Sequence, residues 1–395
     1  MSEFTSKNIN DSLNIHSRKS LPAGNIKIWV LAPQIEGGDA NIDYYYDFTQ
    51  SIEEYKKVFE LLQMQWKWQP VNMNNYKSII DEISGEKENG KVLPVVLNLC
   101  DGDEVNGTPG VSVIKLLEEK ELVYTGADQF FYNITTSKIP MKQAFDDAGV
   151  STAPWCNVNE YTNNLSEIFN RLGRPIIVKP AVSGGSMGVG VKNVVENEEQ
   201  LSKLLNDLTS GYRGWNLLSG GIIAEKFVAG PEFTTLISGS YDHPKYLNIY
   251  NPVERVFHDS LPENEKFLSF DRLWEIYESE SAMPNNENFY EYRLAEERLS
   301  ETIKNISRDA YFATKGKGYT RVDLRMDKET GKIYVLEVNA QCGISEDEDY
   351  TSIGAILKFS EKTFAGLVDE IIKDGVKRAI ARQIDYITTE KIERA

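Results

Sequence analysis

The sequence predicts an α/β fold. Apolar, strand-like runs alternate with helix-periodic stretches from residue 24 to about 130, and a strand-rich second half ends in a hairpin. NIKIWVLAP, from Asn25, is a continuous apolar run of the kind carried by a strand buried on both faces. DFTQSIEEYKKVFELLQMQ follows with helical periodicity. VLPVVLNLC reads as another buried strand and runs into the turn-rich DGDEVNGTPG; VSVIKLLEEKEL is helical and VYTG a short strand. This alternation implies a mostly parallel sheet. Ligands gather at the carboxyl ends of such strands, so the loop from Cys100 to Gly110 is a candidate site wall.

The texture then changes. TTSKIPMKQAFDDAGVSTAPW is a helix ending at Gly149, followed by an extended segment. A strand from Pro175 to Pro180 enters the small-residue loop AVSGGSMGVG; VKNVV is a strand, and NEEQLSKLLNDL a helix capped by Asn197. GIIAEKFVAGPEFTTLISG reads as two strands around a bend at Gly230-Pro231. RVDLRMDKETGKIYVLEVNAQCG, Arg321 to Gly343, reads as a β-hairpin turning at Gly331. Period-two alternation puts Val322, Leu324 and Met326 on one face and Arg321, Asp323 and Arg325 on the other. In the returning strand, Leu336 and Val338 share one face; Val335, Glu337 and Asn339 share the other. A hairpin symmetric about Thr330 sets Asp323 against Glu337 and Arg321 against Asn339.

The chain has 395 residues, 41% of them hydrophobic, enough for two or three domains with buried cores. Its net charge of −17 argues against a nucleic-acid or anionic-membrane partner. Cys100, Cys156 and Cys342 form no CxxC pair, and His16, His243 and His258 are dispersed. Residues 1–23 are polar and lack the apolar stretch of a signal peptide, and no run reaches transmembrane length, so a cytoplasmic protein with a disordered leader is expected.

Opposed carboxylates repel, so Asp323 and Glu337 call for a cation between them. Mg²⁺ takes oxygen ligands from one or two carboxylates plus phosphates and water, and the Asn339 amide oxygen suits the same set. On the hairpin alone, an exposed charged face with Arg321 as counterion explains the pattern equally well. The loop holding Gly184, Gly185 and Ser186 lies between two strands, which excludes a P-loop or dinucleotide fingerprint. Its N–H groups can still approach a phosphate, although a flexible hairpin tip would carry the same glycines. Lys138, Lys179 and Lys266 are candidate phosphate contacts, and Glu225 and Glu232 flank a bent segment that could meet an adenine and a ribose. Together these are the parts of an ATP site.

On SKIPMKQAFDDAGVSTAPW, VKPAVSGGSMGVG, EKFVAGPEF and the hairpin, the chain resembles the ATP-grasp enzymes, in their D-alanine–D-alanine ligase branch, over roughly residues 24 to 380. The resemblance implies three subdomains: an N-terminal parallel α/β domain (24–131), a central subdomain with the glycine loop (132–235), and a C-terminal subdomain with a mobile loop and the metal hairpin (236–395). It implies ATP between two β-sheets, with Lys138 and Lys179 on its phosphates. Glu225 and the backbone of Phe227 and Val228 would meet adenine, Glu232 the ribose, and Lys266 the γ-phosphate. Asp323, Glu337 and Asn339 would bind up to two Mg²⁺, with Mn²⁺ able to substitute; Arg321 and the Gly343 backbone would stabilise an oxyanion. The implied reaction joins a carboxylate to an amine through an acyl phosphate, with small, amino-acid-like substrates and a homodimer through the N-terminal domain. D-alanine–D-alanine ligation itself, a plain kinase and a non-catalytic nucleotide sensor are the alternatives.

The substrate subsites depart from the family pattern. Gly185 stands at the family's serine position and Phe267 at its tyrosine position; NLCDGDE replaces its HG motif, and Glu36 is the nearest acid to its N-terminal glutamate. After Gly343 the acidic run Glu346, Asp347, Glu348 and Asp349 either selects a cationic acceptor or faces solvent, leaving Ser345 or Thr351 to bind the acceptor.

Overall fold

The computed structural model describes residues 26–35, 47–211 and 214–393, with side chains given as far as residue 382. The leader and Glu36 lie outside these residues. Three sheets carry the fold. The first contains β1 (Ile26–Pro33), β2 (Gln65–Val71), β3 (Leu93–Asn98) and β4 (Val123–Tyr124) in the order β2-β1-β3-β4, all parallel. The unbroken apolar run of β1 has a physical reason. Ile28 and Val30 pack with Tyr55 and Phe59 of the helix Thr49–Leu61 and with Ile371 of the long helix Phe364–Glu393. Trp29 and Leu31 pack on the opposite face, among Ile80, Ile83, Val113 and Leu117. Sequence periodicity does not reveal β2 or the following helix, Tyr76–Asn89. QWKWQPV is an edge strand, mostly half-buried and carrying Pro70, so neither alternation nor a full apolar run marks it.

The second sheet holds β5 (Trp155–Asn157), β6 (Ile176–Pro180), β7 (Val194–Val195) and β8 (Ile222–Lys226), antiparallel, in the order β5-β8-β6-β7. The expected strand VKNVV is mostly a 3-10 turn, Val191–Asn193, ahead of the two-residue β7. Asn193 is the cause. It is buried, its Nδ2 donates to the Val178 and Gly188 carbonyls, and its Oδ1 accepts from the Gly190 N–H, so it curls the chain behind the glycine loop. Asn197 caps the helix Glu198–Thr209 as expected, accepting from the Gln200 N–H.

The third sheet runs β12 (Tyr290–Leu294), β11 (Val253–Phe257), β9 (Glu232–Ser240), β13 (Lys317–Met326) and β14 (Ile333–Ala340), with β10 (Asn248–Ile249) beside β9. Because β9 starts at Glu232, residues 232–235 belong with this sheet; the second and third sheets meet at the bend Phe227–Pro231. Gly230 makes that bend with φ at +141°, and a Cβ there would lie 2.2 Å from the Met326 carbonyl oxygen. Gly230→Ala is therefore expected to destabilise the protein by about 2–4 kcal/mol, read as a fall in thermal midpoint.

The hairpin pairs as its symmetry predicts from Arg321↔Asn339 to Asp323↔Glu337. There a bulge intervenes: Leu324 pairs with Val335 and Leu336 is left over. The bulge reverses two expected faces. Val335 is fully buried with Val322, Leu324 and Val338, whereas Leu336 turns to the cavity described next. Among the described residues, no helix is long and apolar enough to cross a membrane.

Candidate active site

A cavity of about 610 Å³ opens between the sheets and takes walls from all three. The second sheet supplies a buried charge cluster. Lys179, near the end of β6, meets Glu225 of the neighbouring β8 at 2.8 Å. Lys142 reaches the other Glu225 oxygen at 2.7 Å from the helix Lys138–Ala148 and also donates to Thr152 Oγ1 at 2.6 Å. Burial alone would raise the Glu225 carboxyl, but the two ammonium groups outweigh it and hold it down at about 2. Burial lowers Lys142 despite its partner, whereas Glu225 outweighs burial at Lys179 and raises it. Lys142 was missed in the sequence, although its place four residues after Lys138 on a helix puts both on one face.

Lys138 lies 3.5 Å from Glu337 and 3.5 Å from the Ser183 carbonyl, linking the hairpin to the glycine loop. In that loop, Gly184, Gly185 and Ser186 line the cavity. Gly185 and Ser186 both take left-handed backbone angles, at +54° and +62°. A covering segment rests on the loop: the Trp274 indole donates to the Gly185 carbonyl at 2.9 Å, and the Phe270 N–H to the Val189 carbonyl at 2.8 Å. Phe267, in the same segment, packs edge-on against Phe227. Lys266 is not brought in: its ammonium turns to Glu263 at 2.8 Å, and it does not line the cavity.

At the bend, the Phe227 N–H is committed to the Pro175 carbonyl, whereas the Val228 N–H makes no backbone hydrogen bond among the described residues. Both residues line the cavity. Glu232 faces Arg255 on β11 and Arg325 on β13 directly across the ladder and pairs with both guanidinium groups. Neither arginine stood out as a site residue in the sequence, because only the register of β9 brings them to Glu232.

The hairpin supplies the remaining wall. Arg321 forks onto Asp323, with Nε 3.0 Å from Oδ1 and Nη2 2.8 Å from Oδ2. Burial would raise the Asp323 carboxyl, but Arg321 outweighs it and keeps the group below the usual carboxylate range. The Asn339 amide nitrogen donates to Asp323 at 2.9 Å and to Glu337 at 3.4 Å. Among the described residues no cluster of three His, Cys, Asp or Glu side chains is set to hold a metal; the candidate set is two carboxylates and one amide. Oxygen donors of this number fit Mg²⁺, which leaves most of its positions to phosphates and water. Asn339 would offer its oxygen after a half-turn of the amide. Gly343 lines the cavity beside Cys342.

The expected loop wall is present in Asp101, Gly102, Asp103 and Thr108. Two hydrogen bonds fix it: Gln341 Nε2 to the Cys100 carbonyl and the Tyr132 hydroxyl to the Gly102 carbonyl, each 2.7 Å. Asp101 is exposed where it lines the cavity, and desolvation by the protein around it pushes its carboxyl up to about 6 against the pull of a hydrogen bond from its own N–H. The acidic run after Gly343 stays out of the cavity. Glu346 pairs with Lys57 and Glu348 with Lys358, while Ser345, Tyr350 and Thr351 form the lining.

Residues 144–373, more than half of the chain, match the family described as D-ala D-ala ligase C-terminus. The chain belongs to this D-alanine–D-alanine ligase family. A D-alanine–D-alanine ligase of Clostridium beijerinckii is 24% identical over 322 residues, covering 78% of this chain and 94% of its own length. The same fold occurs in the Bacillus anthracis D-alanine–D-alanine ligase solved with ATP. That structure is 17% identical with a TM-score of 0.61, covering 90% of this chain and 99% of its own. It recurs in the Coxiella burnetii enzyme, 15% identical with a TM-score of 0.63, covering 93% of this chain and 100% of its own. The three-sheet architecture is that of the ATP-grasp ligases, and this member is an ATP-dependent carboxylate–amine ligase.

Proposed function

We propose that this family member binds ATP between the second and third sheets and uses it to join an amino-acid-like carboxylate to an amine. One observation supports this above the others: Lys138, Lys179, the glycine loop and the Asp323–Glu337–Asn339 set converge on one cavity. Adenine would lie at the bend, against Phe227, Val228 and Glu225, with Glu232 at the ribose. Glu225 also positions Lys179 for the phosphates through their 2.8 Å pair. Lys266 is the proposed γ-phosphate contact and must first leave Glu263, a rearrangement of the covering segment.

In the first step, a substrate carboxylate oxygen attacks the γ-phosphorus. The new O–P bond forms as the bond to the β-phosphate oxygen breaks, giving an acyl phosphate and ADP. The amine nitrogen then attacks the acyl carbon, inorganic phosphate leaves with the C–O bonding pair, and the nitrogen loses a proton. The chain's contribution is placement and charge neutralisation. Lys138 and Lys179 face the phosphates, and Arg321 with the Gly343 N–H stabilises the oxyanion of the tetrahedral intermediate. Mg²⁺ held by Asp323, Glu337 and Asn339 would supply further neutralisation of the phosphate oxygens. The proposal includes subdomains divided after residues 131 and 235, a homodimer through the N-terminal domain and a cytoplasmic location, all resting on likeness to the family.

Pairs of amino acids and amines, D-alanine with D-alanine first, should be screened with ATP and Mg²⁺ for phosphate release, with products identified by mass. Release that requires both substrates and yields an amide is the expected result. A stable phosphoester, or ATP binding without turnover across the panel, overturns the reading.

A further inference from the structure

Two guanidinium groups meet one carboxylate at the cavity wall. Arg255 on β11 and Arg325 on β13 both stand directly across the ladder from Glu232, and all three side chains are buried. Arg255 already answers the charge. Its Nη1 is bonded to one Glu232 oxygen, and its Nη2 donates to the Tyr292 hydroxyl at 3.2 Å. The rings of Tyr290 and Tyr292 flank it, with centroids 5.3 and 5.4 Å from the guanidinium carbon. A second buried guanidinium is costly to desolvate, and no second carboxylate offsets it. Among the described residues the only ion pair of Arg325 is with Glu232, at 3.6 Å. Its other donors turn to the backbone of two separate segments. Nε donates to the Gly230 carbonyl of the bend at 3.3 Å, and Nη2 donates to the Lys266 carbonyl of the covering segment. The guanidinium carbon also lies 5.4 Å from the centre of the Phe227 ring. One side chain thus touches the third sheet, the bend and the covering segment at once.

We infer that Arg325 is a positioning residue that couples recognition of the nucleotide sugar to the ordering of the covering segment. It holds Glu232 for the sugar hydroxyls and pins the Lys266 backbone at the cavity edge, so the two become one event. The inference rests on the ATP reading above and adds to it a residue that acts through two others. A carboxylate has about four acceptor sites on its two oxygens. Each Glu232 oxygen meets one arginine, which leaves room on each for a hydroxyl. The Lys266 carbonyl is held while its ammonium points to Glu263, so this backbone point is the pivot about which the lysine turns inward. A counterion alone has no need to reach two carbonyls from different segments. Farther along, Phe270 and Trp274 fasten the same segment to the glycine loop, so Arg325 secures the end nearest Glu232.

The test has two readouts in the full-length chain with Mg²⁺. Affinities for ATP, 2′-deoxyATP and 3′-deoxyATP are measured by calorimetry. Trypsin cleavage after Lys266 and Arg272 is timed by mass spectrometry with and without saturating ATP. The wild type should bind ATP about tenfold more tightly than at least one deoxy analogue. ATP should slow cleavage in the covering segment about tenfold. Arg325→Met should bring the discrimination below about threefold and abolish the protection even at saturation. Arg325→Lys keeps the charge but cannot span Glu232 and both carbonyls, so it should retain part of the discrimination and lose the protection. Should Arg325→Met not fold, Arg325→Lys carries the test. A merely structural arginine would lower the thermal midpoint and leave both ratios unmoved. Unmoved ratios in the variants, no discrimination in the wild type, or no binding of ATP overturns the inference. Failure of the ligase reading looks different: both ratios move as expected, yet ATP yields no amide with any carboxylate and amine.

Discussion

Asp323→Asn is expected to lower kcat by about 10²–10³-fold while the protein folds normally. The substitution keeps size and hydrogen-bonding capacity but removes a buried negative charge that Arg321 grips with two bonds. Two functions fail together. The oxygen set shared with Glu337 and Asn339 loses half of its charge, and Arg321 loses the partner that aims it. The Mg²⁺ concentration giving half-maximal rate should rise in parallel, which separates this residue from a purely structural one. Steady-state kinetics across a magnesium titration are the measurement, and a variant with wild-type kcat and magnesium response refutes the assignment.

Glu225→Gln should have the larger effect on stability, a loss of about 3–5 kcal/mol. Lys142 is fully buried, and among the described residues Glu225 is its only anionic partner within ion-pair distance. Neutralising that carboxylate leaves one ammonium sealed in the interior and another at the cavity wall. Lys142→Met combined with Glu225→Gln should recover part of the loss, because it removes the stranded charge along with its partner. The same pair sets an acid limit. Glu225 is held well below its ordinary value of 4.5, so its contribution is complete above that pH. It drains away as the pH falls through about 2. Denaturant midpoints measured from pH 6 downward should show this decline in the wild type and its absence in Glu225→Gln.

Much of this architecture was readable from pattern alone. The two-sided burial of β1 appears as an uninterrupted apolar run, and the end of the helix Lys138–Ala148 at a glycine, whose φ is +70°. The opposed acids of the hairpin followed from alternation and a turn. What escaped did so for identifiable reasons. An edge strand with one neighbour need not be apolar, so β2 left no mark. Leu336 and Val335 exchanged faces because a bulge is one residue of backbone with no composition of its own. Arg255 and Arg325 are far from Glu232 in sequence and meet it only through strand register. Lys266 illustrates the opposite case: its position in the chain was legible, but the direction of its side chain depends on how the covering segment lies, and here it faces Glu263.

Gln341 has a consequence for anyone who would re-engineer specificity by exchanging parts. Its amide, just past the end of β14, both donates to the Cys100 carbonyl and accepts from the Ala127 N–H, so one side chain from the hairpin region grips the loops after β3 and β4 of the N-terminal sheet at two points. A chimera that imports a foreign N-terminal domain inherits the wrong mating surface for that amide, and the wall bearing Asp101 would settle at a new height above the cavity floor. Grafts should therefore carry the loop Cys100 to Gly110, the Ala127 turn and position 341 together, as a single transplantable block.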